Sequence, residues 1–258
     1  MTRIFSVFSA KGGVLKSTTS NAIGSIANMN GKRALLIDLD SQSNQRQIYG
    51  IQEPKVGTKE VLLGEVKPED AVVNIHSNLD LIPSTFNMSL FQYEILTNIE
   101  TYPNYLYLIQ ESLGEFIQQY DVVVFDCPPN FSIETLNTYL VEGIEVIIPV
   151  QPEGFSVQGI KETIGAIERY RTKNPSLKIT GLLTTLYDRR SKHHAEIFEM
   201  VKKFASMKSI RCFDTVITKS VKVPETIYEY SLPIMEVDEK HAVTKQFKSF
   251  YKELMGNE

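Results

Sequence analysis

Short apolar runs recur along the chain, separated by stretches of helical periodicity. Arg3-Ile-Phe-Ser-Val-Phe-Ser9 alternates as a strand does, and a helical pattern follows it. Gly31 punctuates the end of that helix, and Arg33 to Asp40 reads as a second, buried strand leading to two carboxylates. Four successive apolar residues, Val122 to Phe125, require a strand covered on both faces, which Pro128-Pro129 then stop. Glu145 to Val150 is another buried strand, entering a helix over Gly154 to Lys173. Asn174-Pro175 closes that helix, and a strand over Leu177 to Thr184 comes next. This alternation predicts parallel βαβ units and so an α/β fold, a doubly wound and mostly parallel sheet flanked by helices.

Between Ile51 and Thr101 the pattern is weaker, with amphipathic helical stretches at Thr58 to Gly64 and Pro68 to Ile75. Tyr93, Tyr102, Tyr105 and Tyr107 read as packing residues of the helices there. Near the end, Phe247, Phe250, Tyr251 and Leu254 share one helical face with Lys245, Lys248 and Lys252 opposite, the pattern of a closing helix laid on the sheet.

Composition narrows this picture. At 258 residues and 42% hydrophobic, without repeats or low-complexity runs, residues 1–258 are expected to form a single domain. Two cysteines, Cys127 and Cys212, cannot make a disulfide framework or a four-thiolate metal site. No signal peptide precedes the first strand and no apolar run nears the ~20 residues of a membrane span, so a cytoplasmic protein without stable membrane association is expected. The formal charge is −4, yet Tyr187 to Lys222 holds nine Lys/Arg against four Asp/Glu, a basic footprint in an otherwise acidic chain. His193-His194 lie about 100° apart on a helix with nothing beside them to complete a tetrahedral set, so no metal but Mg²⁺ is expected.

The candidate chemistry gathers at Ala10 to Thr19, A-K-G-G-V-L-K-S-T-T. A strand ending in a glycine turn that opens into a helix leaves backbone N–H groups free, and these attract phosphate oxygens together with the helix dipole. Lys16 and Ser17 then stand where a lysine neutralises terminal phosphates and a hydroxyl ligates Mg²⁺. The G-x-x-x-x-G-K-[ST] pattern is not met, because Ala10 and Leu15 replace its glycines. Asp126, delivered by a buried strand, is suited to hold magnesium, and Asp38 and Asp40 end the second strand on one side.

Lys11-Gly12-Gly13-Val14-Leu15-Lys16-Ser17-Thr18 resembles the deviant Walker A motif, K-G-G-x-G-K-[ST]-T, of the ParA/MinD family of dimeric ATPases. Asp38 to Asn44 resembles that family's D-x-D-P-Q-G-N switch, with Ser41 and Ser43 for proline and glycine. Leu81-Ile-Pro-Ser84, Asp126-Cys-Pro-Pro129 and Ile148-Pro-Val-Gln151 match further segments. The resemblance implies ATP and Mg²⁺ as cofactors. It places the nucleotide on Lys11, Gly12, Gly13, Val14, Leu15, Lys16, Ser17, Thr18, Asp126, Pro128 and Gln151, with Glu153 beside Gln151. It gives catalytic roles to Lys11, Lys16 and Asp40, and the metal to Ser17, Asp38 and Asp126. Lys11 would reach across an ATP-dependent homodimer.

Leu182 to Ser191 and Thr215 to Lys222 resemble the L-L-T-x-x-D-x-R-T and T-V-I-P-R-N-V-R segments of ParA proteins. These imply nonspecific DNA binding through Arg190, Lys219 and Lys222, association with the nucleoid, and stimulation by a ParB-like partner. The expected function is therefore partition of plasmid or chromosomal DNA. A MinD-type positioning ATPase on membrane and a weakly hydrolysing scaffold are the alternatives. No helix-turn-helix domain is expected ahead of the phosphate loop. Leu15 is expected to be accommodated by relaxation of the turn to negative φ, its side chain pointing away from the nucleotide, with slow hydrolysis.

Overall fold

The computed structural model describes residues 1–153 and 156–256, without the side chain of Ser156. In chain order the elements are β1 (Arg3–Val7), α1 (Lys16–Met29), β2 (Ala34–Asp38), α2 (Asn44–Ile48), α3 (Thr58–Leu62), α4 (Pro68–Ala71), β3 (Val73–His76), β4 (Leu79–Ile82), α5 (Phe91–Thr97) and α6 (Leu108–Leu113). They continue with β5 (Val122–Asp126), α7 (Ile133–Tyr139), β6 (Ile144–Val150), α8 (Ser156–Glu168), β7 (Lys178–Tyr187), α9 (Lys192–Met207), β8 (Cys212–Thr218), α10 (Lys222–Tyr230), α11 (Ile234–Val237) and α12 (Ala242–Met255).

The strands form one eight-stranded sheet in the order β3-β4-β2-β5-β1-β6-β7-β8. Every neighbouring pair is parallel except β3 with β4. That antiparallel edge departs from the helical pattern expected over Pro68 to Ile75. The helix stops at Ala71, and the short β3 instead pairs its backbone with β4.

Alternation along the central strands fills two cores. Ile4, Leu35, Ile37, Val123, Phe125 and Ile148 face one layer of helices, while Phe5, Val7, Leu36, Val124 and Ile147 face the other. Burial on both faces explains why β2 and β5 read as unbroken apolar runs. Helix α1 lies close on the second face: a Cβ added at Gly24 would come within 2.8 Å of Leu36. The glycine therefore sets how near the helix behind the phosphate loop can approach β2.

Helix α12 closes the same face. Phe247, Phe250, Tyr251 and Leu254 are buried, and Phe250 meets Phe213 edge-on at 4.8 Å. The apolar face that a membrane-bound reading would lay on lipid is thus covered by the sheet. No helix among the described residues is long and apolar enough to cross a membrane. Tyr102 and Tyr105 pack against the first core as expected. Tyr93 does not, being 70% exposed. Its helix is anchored by Phe91 and Ile95, which turns position 93 to solvent.

Candidate functional site

All the motif-bearing segments emerge at the carboxyl edge of the sheet, because parallel strands end on the same side. Register makes this concrete: Val7 and Asp38 are both paired with Asp126 on the strand between them. The loop after β1 thus lies one strand spacing from Asp126 and two from Asp38.

Gly12, Gly13, Leu15, Lys16, Ser17 and Thr18 border a cleft of 350 Å³ whose other wall includes Asp40, Asn44, Gln47 and Ile48, with Pro129 and Ile227. Lys16 is 8% exposed and its ammonium donates to the Lys11 carbonyl at 3.2 Å. Burial pushes its pKa down, and the negative charges of Asp126 and Asp40 work against that shift. A buried cation at the N-terminus of a 14-residue helix, in an open cradle of backbone, is suited to polyphosphate.

The acids are held by a network that centres on Gln45. Its side chain donates to Asp126 Oδ2 and to the Ser17 carbonyl, both at 2.9 Å, and its backbone N–H donates to Asp38 Oδ2 at 3.1 Å. Ser20 donates to Asp126 Oδ1 at 3.1 Å. Burial is the main cause lifting the Asp126 pKa, to about 6, while hydrogen bonds from Gln45, Ser17 and Ser20 oppose the rise. Asp38 is raised well above the carboxylate range, first by burial and then by the charge of Asp126 beside it. Two desolvated carboxylates next to a hydroxyl suit a hard divalent cation, which would relieve their repulsion. Ser17 and Asp126 therefore fit a magnesium pair. Asp38 has both oxygens engaged by backbone N–H groups of Asp40 and Gln45, and orders the switch loop.

Sequence reading missed Gln45 and Ser20. Gln45 directly follows the D-L-D-S-Q-S-N segment, and Ser20 lies one helical turn beyond Lys16, so position alone marked them. Three of the residues expected at the nucleotide stand outside the lining of the phosphate cleft. Pro129, not Pro128, borders the phosphate cleft, since Pro128 turns into the neighbouring one. Val14 is buried away from the cleft, its carbonyl accepting from Thr185 at 2.9 Å. Gln151 stands off the phosphate cleft and instead accepts from the Lys11 ammonium at 3.1 Å. Lys11 is also ion-paired with Glu153 of its own chain. That pairing holds the Glu153 carboxyl below its ordinary range.

Leu15 does not relax. It stands at φ 63, ψ 34, in the left-handed region, immediately before α1. Its side chain is half-buried against the core that contains Val223 and Ile217. That packing offsets a backbone cost of about 1–2 kcal/mol for a non-glycine residue. Ser43 behaves alike, at φ 52 and ψ 44, where the switch would have glycine. Both departures from the motif thus retain a left-handed turn.

At the far end of the same edge, Tyr187 pairs with Thr218, which sets the loop carrying Arg190 beside Lys219. The Arg190 side chain is 91% exposed and donates to Asp188 at 3.3 Å. Lys222 is bridged to Glu225 at 3.4 Å. His194 accepts the Asp188 N–H through Nδ1 at 3.0 Å, a structural use of that ring. Cys127 is buried and its thiol pushed up to about 12 by burial, so it packs and does no chemistry.

The sequence model of a family described as "AAA domain" matches residues 2–179. The chain is 30% identical over 264 residues to the sporulation initiation inhibitor protein Soj of Bacillus subtilis, covering 100% of each chain. It is 30% identical over 262 residues to the chromosome partitioning protein ParA of Caulobacter vibrioides, covering 99% of this chain and 95% of that one. The fold is also similar to cobyrinic acid a,c-diamide synthase of Mycobacterium smegmatis, solved with a bound ATP analog and magnesium. That match has a TM-score of 0.83 and 28% identity, over 99% of this chain and 94% of that one.

Proposed function

Because the chain belongs to the ParA/Soj family of deviant Walker A P-loop ATPases, we propose that it is a Mg²⁺-dependent ATPase of DNA partition, cytoplasmic and nucleoid-associated. The observation that carries this reading is the buried Lys16 at the mouth of α1, within electrostatic reach of Asp126 and Asp40. Mg²⁺ with the triphosphate supplies the charge and the scissile bond. Lys16 and the first N–H groups of α1 neutralise phosphate oxygens, so that charge developing in the transition state meets donors already in place. Ser17 and Asp126 hold the cation. Asp40, whose Oδ1 accepts the Gln42 N–H at 3.0 Å, would position the attacking water.

Lys11 reaches a second subunit's nucleotide only after leaving Gln151 and Glu153, so the ATP-bound homodimer requires that exchange. In the dimer, Arg190, Lys219 and Lys222 hold DNA without reading its sequence, and a ParB-like partner stimulates hydrolysis to reset the cycle. The test is cosedimentation of the Mg-ATP-loaded protein with DNA and, separately, with liposomes, alongside turnover with and without DNA. Liposome binding without DNA binding would overturn the partition reading. The burial of the α12 apolar face argues against that outcome.

A further inference from the structure

The loop that carries Asp40 is held at both ends. It starts from β2 and runs into α2, a helix of five residues, too short to hold itself in place. On the inner side Gln45 ties that helix to Asp126, Asp38 and the Ser17 carbonyl. The outer side has an anchor of its own, made of residues that lie in none of the motifs.

Tyr49 directly follows α2, and its hydroxyl lies 3.0 Å from that of Ser25 in the middle of α1. Ser25 is fully buried and donates to Glu236 Oε1 at 2.9 Å, an oxygen that the Tyr49 hydroxyl reaches at 3.5 Å. The other oxygen, Oε2, is met at 2.8 Å by Nε2 of His76, from the end of the edge strand β3. The Tyr49 ring stands edge-on to that imidazole, with 6.2 Å between centroids. One carboxylate of α11, its side chain 11% exposed, thus gathers α1, the end of α2 and β3. Burial, and then the charge of Glu236, push the Tyr49 hydroxyl far above its ordinary range, so it stays a donor. The chain leaving α2 is seated on the same segment. Gly50, at φ 59, passes Ser231 between α10 and α11 so closely that a Cβ there would come within 2.8 Å.

The inner and outer anchors are joined along one face of α1. Asn21 donates to Gln45 Oε1 at 3.3 Å, and its Oδ1 lies 3.4 Å from the Ser25 hydroxyl one turn further on. A row of buried polar groups therefore runs from Asp126 through Gln45, Asn21 and Ser25 to Glu236. A paired network in a desolvated place holds its members in one arrangement.

We propose that Glu236 is a positioning residue for hydrolysis, which fixes the outer end of α2 through Tyr49 and Ser25 and with it the loop that presents Asp40. Glu236 lies outside the lining of the phosphate cleft and acts only through these other residues. The proposal rests on the ATPase reading above for its effect on turnover.

The test uses the full chain in two measurements. In hydrogen exchange with Mg²⁺ and a nonhydrolysable ATP analogue, amides 44–51 should exchange at least about fivefold faster in Tyr49→Phe and Glu236→Ala than in wild type, with β5 amides unchanged. In steady-state ATP hydrolysis the same variants should lose about five- to tenfold in kcat while KM for ATP stays within about twofold. Glu236→Gln should recover most of both, because its amide oxygen accepts the same hydroxyl hydrogens and the other tautomer of His76 accepts from its amide nitrogen. Tyr49→Phe removes one oxygen and keeps the ring, so it reads the anchor even if Glu236→Ala does not fold. Exchange over 44–51 as slow in Tyr49→Phe as in wild type would overturn the proposal. So would an unchanged kcat, a rise in KM alone, or equal losses in Glu236→Gln and Glu236→Ala. A wild type that hydrolyses no ATP would sink the ATPase reading, and the exchange result then decides the anchor by itself.

Discussion

The phosphate cradle and the basic edge beyond β7 and β8 occupy the same rim of one sheet, yet charge is handled oppositely in them. In the cradle, Lys16, Asp38, Asp40 and Asp126 are all at most 8% exposed, and the charges of Asp126 and Asp40 act on the protonation of both Lys16 and Asp38. At the edge, Arg190 and Lys222 stand in solvent and are each paired with a carboxylate of their own loop or helix. Desolvated charges interact strongly and non-additively, whereas exposed pairs are screened and contribute little each. The cradle should therefore behave as one unit, and the edge as a sum of small parts.

Lys16→Ala is the sharpest way to break the comparison. It leaves three buried carboxylates without their cation, and nucleotide affinity should fall by at least two orders of magnitude, about 3 kcal/mol or more, in isothermal titration calorimetry. A loss of only a few-fold would mean that the cradle is as screened as the edge. Lys11→Ala tests the intermediate case of a half-exposed lysine. Monomeric nucleotide binding should persist while ATP-dependent dimerisation disappears in sedimentation velocity with a nonhydrolysable analogue. Equal dimer mass for wild type and variant would defeat its reach across an interface.

The combined replacement of Arg190, Lys219 and Lys222 by Ala should weaken ATP-dependent DNA binding and reduce the salt slope by up to ~0.9 for each phosphate that is no longer neutralised. Turnover without DNA should survive. An unchanged slope would locate the DNA surface elsewhere. Asp188→Ala sharpens the same point from the other side: freeing Arg190 should tighten DNA binding by a few-fold at low salt, an effect that fades as salt is raised.

The smallest effect is expected at Leu15→Gly. Relief of a left-handed leucine is offset by lost packing and by the entropy of a glycine. ATP affinity should stay within about tenfold and change less than turnover does. If wild type binds no ATP and the glycine variant binds it tightly, the leucine has disabled the cradle and the scaffold alternative gains.

Much of this protein was legible in its sequence, because local chemistry decides it. Strands buried on both faces must read as continuous apolar runs, as Val122 to Phe125 does. A glycine turn before a helix, with Lys16 and Ser17 at the helix start, specifies a phosphate cradle wherever the strand behind it lies. Tertiary structure decided what depends on neighbours remote in sequence. Gln45 matters because β2 and β5 are adjacent, which sets it against Asp126, 81 residues away. Leu15 keeps a positive φ because a core built partly from α10 receives its side chain. Local propensity alone favours a relaxed turn there. Glu134 is an ordinary first-turn acid until packing buries it and raises its pKa. Sequence gives each residue its chemistry, but desolvation and the identity of the neighbour are set only when distant strands and helices close around it.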